Sequence, residues 1–346
     1  TDLDNSVISS IKRGNMTTLN CPEEVYLTKK LISLHPWAGM AKYARSGGEA
    51  NALAIRIARA ASKKDGVAIC GYHGWHDWYI SVNHNDSSGL DDHLLPGLEP
   101  KGIPKNLKNT VFPFNYNDYE QLEKICDENE IGVIKMEVVR NFGPENNFLQ
   151  KVRELATKRG IVLIFDECTS GFRETFGGIH KKYSVNPDMA MFGKTIGNGY
   201  ALTAVVGIKE VMSSVEDTFI SSTFWTERIG PTAALKTLEV MENLKSWELI
   251  TDIGLKIREG WSTLFKKYKI NFFISGIPSL SSYSFEHNDL EIQTYITQEM
   301  LKKGFLASNR FYACISHNKE IQNLYFTALE EVIHSLSMMQ IDKNEI

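Results

Sequence analysis

The chain has 346 residues, 42% apolar and 23% charged, with 38 Lys and Arg against 42 Asp and Glu for a formal net charge of −4. That length suits one large α/β domain plus a smaller one, and a mildly acidic chain without a basic block argues against a nucleic-acid partner. No apolar run reaches the length of a bilayer span and no signal peptide is read at the start, so no membrane partner is expected.

The predicted elements alternate along the chain. Residues 49–63 form an alanine-rich helical pattern with Leu53 and Ile57 one turn apart, and Val67-Ala68-Ile69-Cys70 reads as a buried strand. The region 86–113 is rich in Ser, Gly, Asp and Pro, including Pro96, Pro100, Pro104 and Pro113, and reads as a long ordered excursion or a surface loop. Asn117-Asp118 caps a predicted helix carrying Leu122 and Ile125, residues 132–136 form a strand, 148–158 a helix and 161–165 another strand. Met189-Ala190-Met191-Phe192 and Ala204-Val205-Val206 add two more strands. This alternation predicts an α/β fold with a mainly parallel sheet covered by helices. After about residue 245 the texture becomes helix-rich, at 246–267, 290–303 and 319–339, with short strands at 271–274, 280–285 and 312–315. The five cysteines (Cys21, Cys70, Cys126, Cys168, Cys314) are scattered without a CxxC pair, which supports neither a zinc knuckle nor a disulfide framework and suits the reducing cytoplasm.

Four segments carry chemistry. Ile164-Phe165-Asp166-Glu167 ends a buried strand in two carboxylates, at the end of a parallel strand where ligands bind. Lys194 follows another strand between glycines, as a nucleophilic amine or as a plain loop lysine. Gly193-Lys194-Thr195 is not a P-loop, since Asp188 stands where that motif needs glycine. Ser46-Gly47-Gly48 leads directly into a helix, which makes an anion site or an ordinary cap. In Gly71-Tyr72-His73-Gly74-Trp75-His76-Asp77-Trp78 a metal reading lacks the right spacing and a third ligand; a stacking platform for a flat ring, or simple aromatic packing, fits better. An anion cradle, an aromatic face, a carboxylate and a lysine together suit one ligand, pyridoxal 5'-phosphate (PLP).

On these residues the sequence resembles the class III aminotransferases, particularly the glutamate-1-semialdehyde 2,1-aminomutase branch, from about Cys21 to the C-terminus. Ser46-Gly47-Gly48-Glu49-Ala50 resembles the family's phosphate loop, and Tyr72-His73-Gly74 its ring-stacking motif. Glu137 stands at the glutamate of its Val-Glu-Pro, and 164–173 resembles its Phe-Asp-Glu-Val-x-Thr-Gly-Phe-Arg. Gly193-Lys194-Thr195-Ile196-Gly197 resembles its lysine motif, with Lys194 at the Schiff-base position and Asp166 keeping the ring nitrogen protonated. The resemblance implies a fold type I PLP-dependent transferase: an N-terminal segment 1–35, incomplete at its start, a PLP-binding large domain 36–245 and a small C-terminal domain 246–346. It implies transfer of an amino group between an amine or amino acid and a carbonyl acceptor, or the intramolecular aminomutase reaction. A racemase, a decarboxylase or a non-catalytic binding protein on the same fold are the further alternatives. Thr223 in Ser222-Thr223-Phe224 matches the residue that reaches the partner subunit's phosphate, implying a homodimer with shared active sites; a helix cap is the plainer reading.

Three departures stand out. Gly48 replaces the usual Thr, Cys168 the usual Val beside Asp166, and Trp225-Thr226-Glu227-Arg228 the usual Gly-Gly-Asn-Pro. Arg173 is a candidate for a substrate carboxylate or for a structural ion pair with Glu167 or another acid. Asn309 and Arg310 fall in a segment that borders the pocket in relatives, and Gly14-Asn15-Met16-Thr17-Thr18 is either a pocket remnant or an exposed turn.

Overall fold

The computed structural model describes residues 1–86, 88–93 and 96–344. Ser87, Leu94 and Leu95 of the expected excursion, the final Glu345 and Ile346, and the side chains of residues 339–344 lie outside the described residues. The chain divides into two compact units, Thr1–Val138 with Gly143–Leu244, and Val139–Phe142 with Lys245–Ile346.

The first unit runs α1 (Asp2–Lys12), α2 (Pro22–Leu34), β1 (Met40–Ala44), α3 (Gly47–Ser62), β2 (Gly66–Cys70), α4 (Asp77–Ile80), β3 (Val111–Pro113), α5 (Tyr119–Glu128), β4 (Ile131–Glu137), α6 (Phe148–Arg159), β5 (Val162–Glu167), β6 (Met189–Phe192), β7 (Thr203–Gly207), α7 (Lys209–Met212) and α8 (Ile229–Leu244). Its sheet has the order β1-β7-β6-β5-β4-β2-β3. Only β7 runs against its neighbours β1 and β6, so the expected mainly parallel sheet is present. Strands β2, β4, β5 and β6 are buried at every position, as strands covered on both faces must be. On one face Ala54, Ile57 and Ala58 of α3 meet Val67, Ile69, Val133, Ile164, Met191 and Val205. On the other, Leu27 and Leu31 of α2 and Ala234 and Leu238 of α8 meet Ala190, Phe192, Ala204 and Val206.

Helix starts follow their caps. Ser46 Oγ accepts the Glu49 amide at 3.3 Å and Asp118 accepts the Gln121 amide at 2.9 Å. The excursion is tied down rather than loose. Asn83 Nδ2 donates to the Leu98 carbonyl at 2.6 Å, His84 bonds the Ile103 carbonyl at 3.0 Å, and Leu90 is buried in the core. Parallel strands bring their carboxyl ends to one edge, so the loop after β2, Glu137, Asp166 and the Lys194 loop share that edge.

The second unit contains α9 (Ser246–Lys267), β8 (Phe272–Ile277), β9 (Leu280–Phe285), α10 (Asp289–Lys302), β10 (Arg310–Tyr312) and α11 (Lys319–Asn344). Its antiparallel sheet has the order β10-β9-β8 and packs around Trp261, Phe265, Tyr283, Ile296, Met300 and Leu329. The strand expected at 312–315 lies earlier, at Arg310–Tyr312. Tyr312 already stands opposite Leu280, and the Ala313 amide bonds Ser279 at the turn, where the ladder runs out.

Candidate active site

The cradle is the N-terminus of α3, a 16-residue helix whose dipole favours an anion there and whose Glu49 amide is already capped by Ser46. A methyl at Gly47 would meet nothing within 4 Å, so that approach is open. Thr203 Oγ1 donates to the Ser46 carbonyl at 3.2 Å and fastens the cradle to β7. Gly48 is different. A Cβ there would lie 2.5 Å from His76 Cε1 and 2.6 Å from its Nδ1, and a Cβ at Gly74 would lie 3.3 Å from the Gly48 Cα. The loop after β2 therefore rests directly on the helix start. The His76 ring occupies the space that a larger residue at Gly48 would need, stacked at 4.8 Å on Trp75. Its Nδ1 is buried and has no hydrogen-bond partner among the described residues.

The carboxylate sits at the end of β5. Burial alone would raise the Asp166 pKa, but the Lys135 ammonium, the His73 ring and the Cys168 amide outweigh it and hold the group well below the usual carboxylate range. Asp166 Oδ2 bonds His73 Nδ1 at 2.9 Å and lies 3.2 Å from Lys135 Nζ, while Oδ1 accepts the Cys168 amide at 3.2 Å. His73 is wholly buried, which lowers its pKa to about 4 with help from Lys135 and leaves it neutral at pH 7. Within the Tyr-His-Gly motif Tyr72 is 40% exposed, whereas His73 is buried and bonds Asp166. Glu137 accepts the Tyr72 amide at 3.0 Å. Gly71, at φ 107, passes so close to Glu137 that a Cβ would lie 2.5 Å from Oε2. The Gly71 amide donates to His93 Nδ1 at 3.2 Å, so the excursion also supports this loop.

Lys194 follows β6, the neighbour of β5, in a left-handed conformation (φ 44) that non-glycine residues seldom adopt and that clusters at functional sites. Its side chain is exposed and Nζ donates to Thr169 Oγ1 at 2.6 Å. A Cβ at Gly193 would touch both Cys168 Sγ at 3.3 Å and Thr203 Cγ2 at 3.2 Å, which links the lysine loop to Asp166's neighbour and, through Thr203, to the cradle. Burial pushes the Cys168 thiol well up, so it is a packing residue and not a nucleophile. Arg173 Nε donates to the Thr169 carbonyl at 2.8 Å, while Glu167 takes the His180 ring and the amides of Ile179 and His180.

The seam segment is built into the same unit. Trp225 Nε1 donates to Glu49 at 2.8 Å, Arg45 pairs with Glu227 at 3.1 Å, and Arg228 makes two bonds to Glu23 at 2.7 and 3.1 Å. Gly14–Thr18 is neither loose nor isolated: the Arg228 amide donates to the Asn15 carbonyl at 2.8 Å and Thr226 Oγ1 to the Thr17 carbonyl at 2.6 Å. Thr223 is exposed at the start of a short 3-10 turn, next to Phe224, whose carbonyl accepts Arg45 Nη2 at 2.7 Å. In the second unit Asn309 exchanges bonds with Tyr283 at 3.1 and 3.0 Å and is structural there, while Arg310 is exposed on β10. Among the described residues no three His, Cys, Asp or Glu side chains are grouped to hold a metal; His73 turns to Asp166 and His76 to Gly48.

The structure therefore brings Ser46, Gly47, Gly48, Tyr72, His73, Glu137, Asp166, Cys168 and Lys194 to one sheet edge. Sequence reasoning missed Lys135, Thr169 and the role of His76. Lys135 carried a signal: a charge in the middle of an apolar run destined for a doubly covered strand.

The profile of the family described as "Aminotransferase class-III" matches residues 5–311. A 3-aminobutyryl-CoA aminotransferase of Cloacimonas acidaminovorans (strain Evry) is 31% identical, over 98% of this chain and 81% of that one. A glutamate-1-semialdehyde 2,1-aminomutase of Methanosphaera stadtmanae is 30% identical, over 95% of this chain and 82% of that one. Among solved structures, an omega-transaminase from Sphaerobacter thermophilus superimposes with a TM-score of 0.86 at 21% identity, covering 96% of this chain and 82% of that one. A transaminase with PLP bound gives 0.86 at 19% identity, covering 97% and 83%. The chain belongs to the class III aminotransferases and is, with them, a fold type I, PLP-dependent enzyme of amino transfer.

Proposed function

We propose that Lys194 carries the cofactor and that the enzyme moves an amino group between an amine or amino acid donor and a separate carbonyl acceptor. The observation that carries this is the Lys194 ammonium, exposed and aimed by Thr169 Oγ1 at 2.6 Å, beside the strand that ends in Asp166. Asp166 would pair with the ring nitrogen, Tyr72 and Cys168 would hold the ring, and Glu137 fixes the Tyr72 backbone. Ser46, Gly47 and Gly48, at the N-terminus of α3, would hold the phosphate. The residues present fit such a group: a ligand oxygen over the α3 N-terminus would supply the partner that the buried His76 Nδ1 otherwise lacks. When bound, the cofactor supplies an electron sink for the charge left when the substrate carbon loses its proton. Lys194 Nζ, once free, is the base that takes that proton and the acid that returns it; Thr169 holds the amine in place. Thr223 reaches the phosphate of a partner subunit in a homodimer, a reading supported by the exposure of Phe219 and Phe224 on the same segment. The reducing cytoplasm is the proposed setting.

Intermolecular transfer is favoured because Trp225-Thr226-Glu227-Arg228 departs from the aminomutase pattern and a similar relative is an aminotransferase. The aminomutase reaction is the second reading, on the strength of relatives of that name. Borohydride reduction of the yellow protein followed by peptide mapping tests the site: the pyridoxyl group is expected on Lys194, and a label elsewhere, or full turnover by Lys194→Ala, overturns it. A panel of amines and keto acids, read by product, separates transfer from mutase, racemase and decarboxylase chemistry.

A further inference from the structure

Strand β4 places one charged side chain in the apolar layer beneath α3. Lys135 is fully buried, in register with Ile69 on β2 and Ile164 on β5. Its ammonium reaches only Asp166 Oδ2 at 3.2 Å and the weakly accepting thioether of Met191 at 2.9 Å among the described residues. A buried ammonium loses its hydration, and an apolar residue would pack among Ile69, Ile164 and Met191 without that penalty. The lysine thus carries a desolvation cost that an apolar residue would not, and its charge faces Asp166.

The hydrogen-bond inventory shows how. An ionised carboxylate oxygen accepts about two bonds. Oδ2 is filled by His73 and Lys135, and Oδ1 holds the Cys168 amide with capacity for one more. Lys135 thus helps to pin Asp166 in one orientation with one oxygen available. It also places a positive charge against the carboxylate, so a second cation on the open oxygen is attracted less than by an isolated carboxylate. The other titratable groups around Asp166 are Glu137, its register partner on β4, His73 and, behind it, His93 from the loops after β2, Cys168 beyond β5 and Lys194 beyond β6; the Glu137 carboxylate acts against Lys135, and only the direct 3.2 Å contact of Lys135 on Oδ2 makes the lysine the nearer charge.

We propose that Lys135 is a positioning residue that fixes Asp166 as a permanent carboxylate and weakens its hold on a protonated ring nitrogen, setting the cofactor as a milder electron sink. This rests on the reading that Asp166 faces that nitrogen. The test is nitrogen-15 NMR of protein loaded with ring-labelled PLP, across the pH range in which the protein stays folded, for wild type, Lys135→Met and Asp166→Asn. In the wild type the ring nitrogen is expected to lose its proton within that range. In Lys135→Met its resonance moves to the pyridinium position and stays there to higher pH; in Asp166→Asn it moves the opposite way. Carbon-13 titration of the Asp166 carboxyl in the apoproteins is expected to show it charged throughout in wild type and titrating at higher pH in Lys135→Met. If Asp166→Asn shifts the resonance while Lys135→Met leaves it unchanged, Lys135 does not tune the site and the Asp166 reading survives. If neither shifts it, both fall. Should Lys135→Met fail to fold, a wild-type ring nitrogen that stays protonated over the whole range overturns the proposal by itself.

Discussion

Replacing Gly48 by alanine is expected to weaken cofactor binding through its phosphate alone. The added methyl would lie 2.5 Å from His76 Cε1 and 2.6 Å from Nδ1, closer than any real carbon contact, so the imidazole must withdraw from the cradle. Gly48 carries no left-handed φ, and alanine in a helix is favoured over glycine by up to about 1 kcal/mol, so the helix itself is not the casualty. The expected loss is the bond that His76 Nδ1 would make to a phosphate oxygen on the proposed reading of the cradle. A hydrogen bond to a charged group contributes about 1.5–3 kcal/mol, which is roughly 10- to 150-fold in affinity. Titration of the apoprotein with PLP and with phosphate-free pyridoxal measures it: the first should weaken by that factor and the second should not change. His76→Ala should lose about as much as Gly48→Ala, and the double variant no more than His76→Ala, since both single changes remove one contact. Wild-type affinity in Gly48→Ala, additive losses, or an equal loss for pyridoxal would refute the argument.

Two further outcomes follow from the packing. Burial lowers both His73 and His35 to about 4, so the folded state keeps them neutral while the unfolded chain binds protons below about pH 6.5. The unfolded state then holds more protons in that window. Stability is therefore complete above about pH 6.5 and falls toward pH 4, by up to about 1.4 kcal/mol per pH unit for each histidine. Urea unfolding of the apoprotein from neutral pH to pH 4 checks this; His35→Gln should flatten part of the slope, and a flat wild-type profile contradicts the assignment. In the second unit a Cβ at Gly254 would lie 1.9 Å from the Pro278 carbonyl, a backbone atom that cannot swing aside. Gly254→Ala should therefore destabilise by about 1–3 kcal/mol or more, read as a lower urea midpoint, and an unchanged midpoint would show that α9 and the β8–β9 turn are not in register as described.

The sequence reveals the parts of this fold that repeat a simple pattern. Continuous apolar runs give β2, β4, β5 and β6, Asp118 marks the start of α5, and Ser46 that of α3. β1 escapes because Lys42 interrupts its apolar run at an edge of the packed layers, where the side chain instead lies over Trp225. β3 escapes because it is three residues long and ends in Pro113. Asp166 and Lys194 stand out in the sequence because one lies at the end of a strand and the other follows one, and strand ends are where a parallel sheet gathers ligands. His76 is not legible, since its importance depends on the empty space above Gly48, 28 positions away in the chain. Lys135 is visible as a residue but not as a partner of Asp166, because periodicity places a side chain on a face and cannot say which neighbour its end will reach.

The departures from the family pattern argue for a working site and not for a decayed one. A scaffold that had lost its chemistry would be free to lose hydroxyls and charges without replacement. Here the altered positions at Gly48 and in segment 225–228 have matching partners. The space freed at Gly48 is filled by the His76 ring, with an unpartnered nitrogen at the anion cradle. Trp225 bonds Glu49, Glu227 pairs with Arg45 and caps α8 through the Ile229 and Gly230 amides, and Arg228 locks Glu23. The buried Lys135 likewise meets a partner, Asp166, at 3.2 Å. Compensation of this kind keeps a cradle, a carboxylate and an amine in fixed relation, with Lys194 Nζ held at 2.6 Å from the Thr169 hydroxyl.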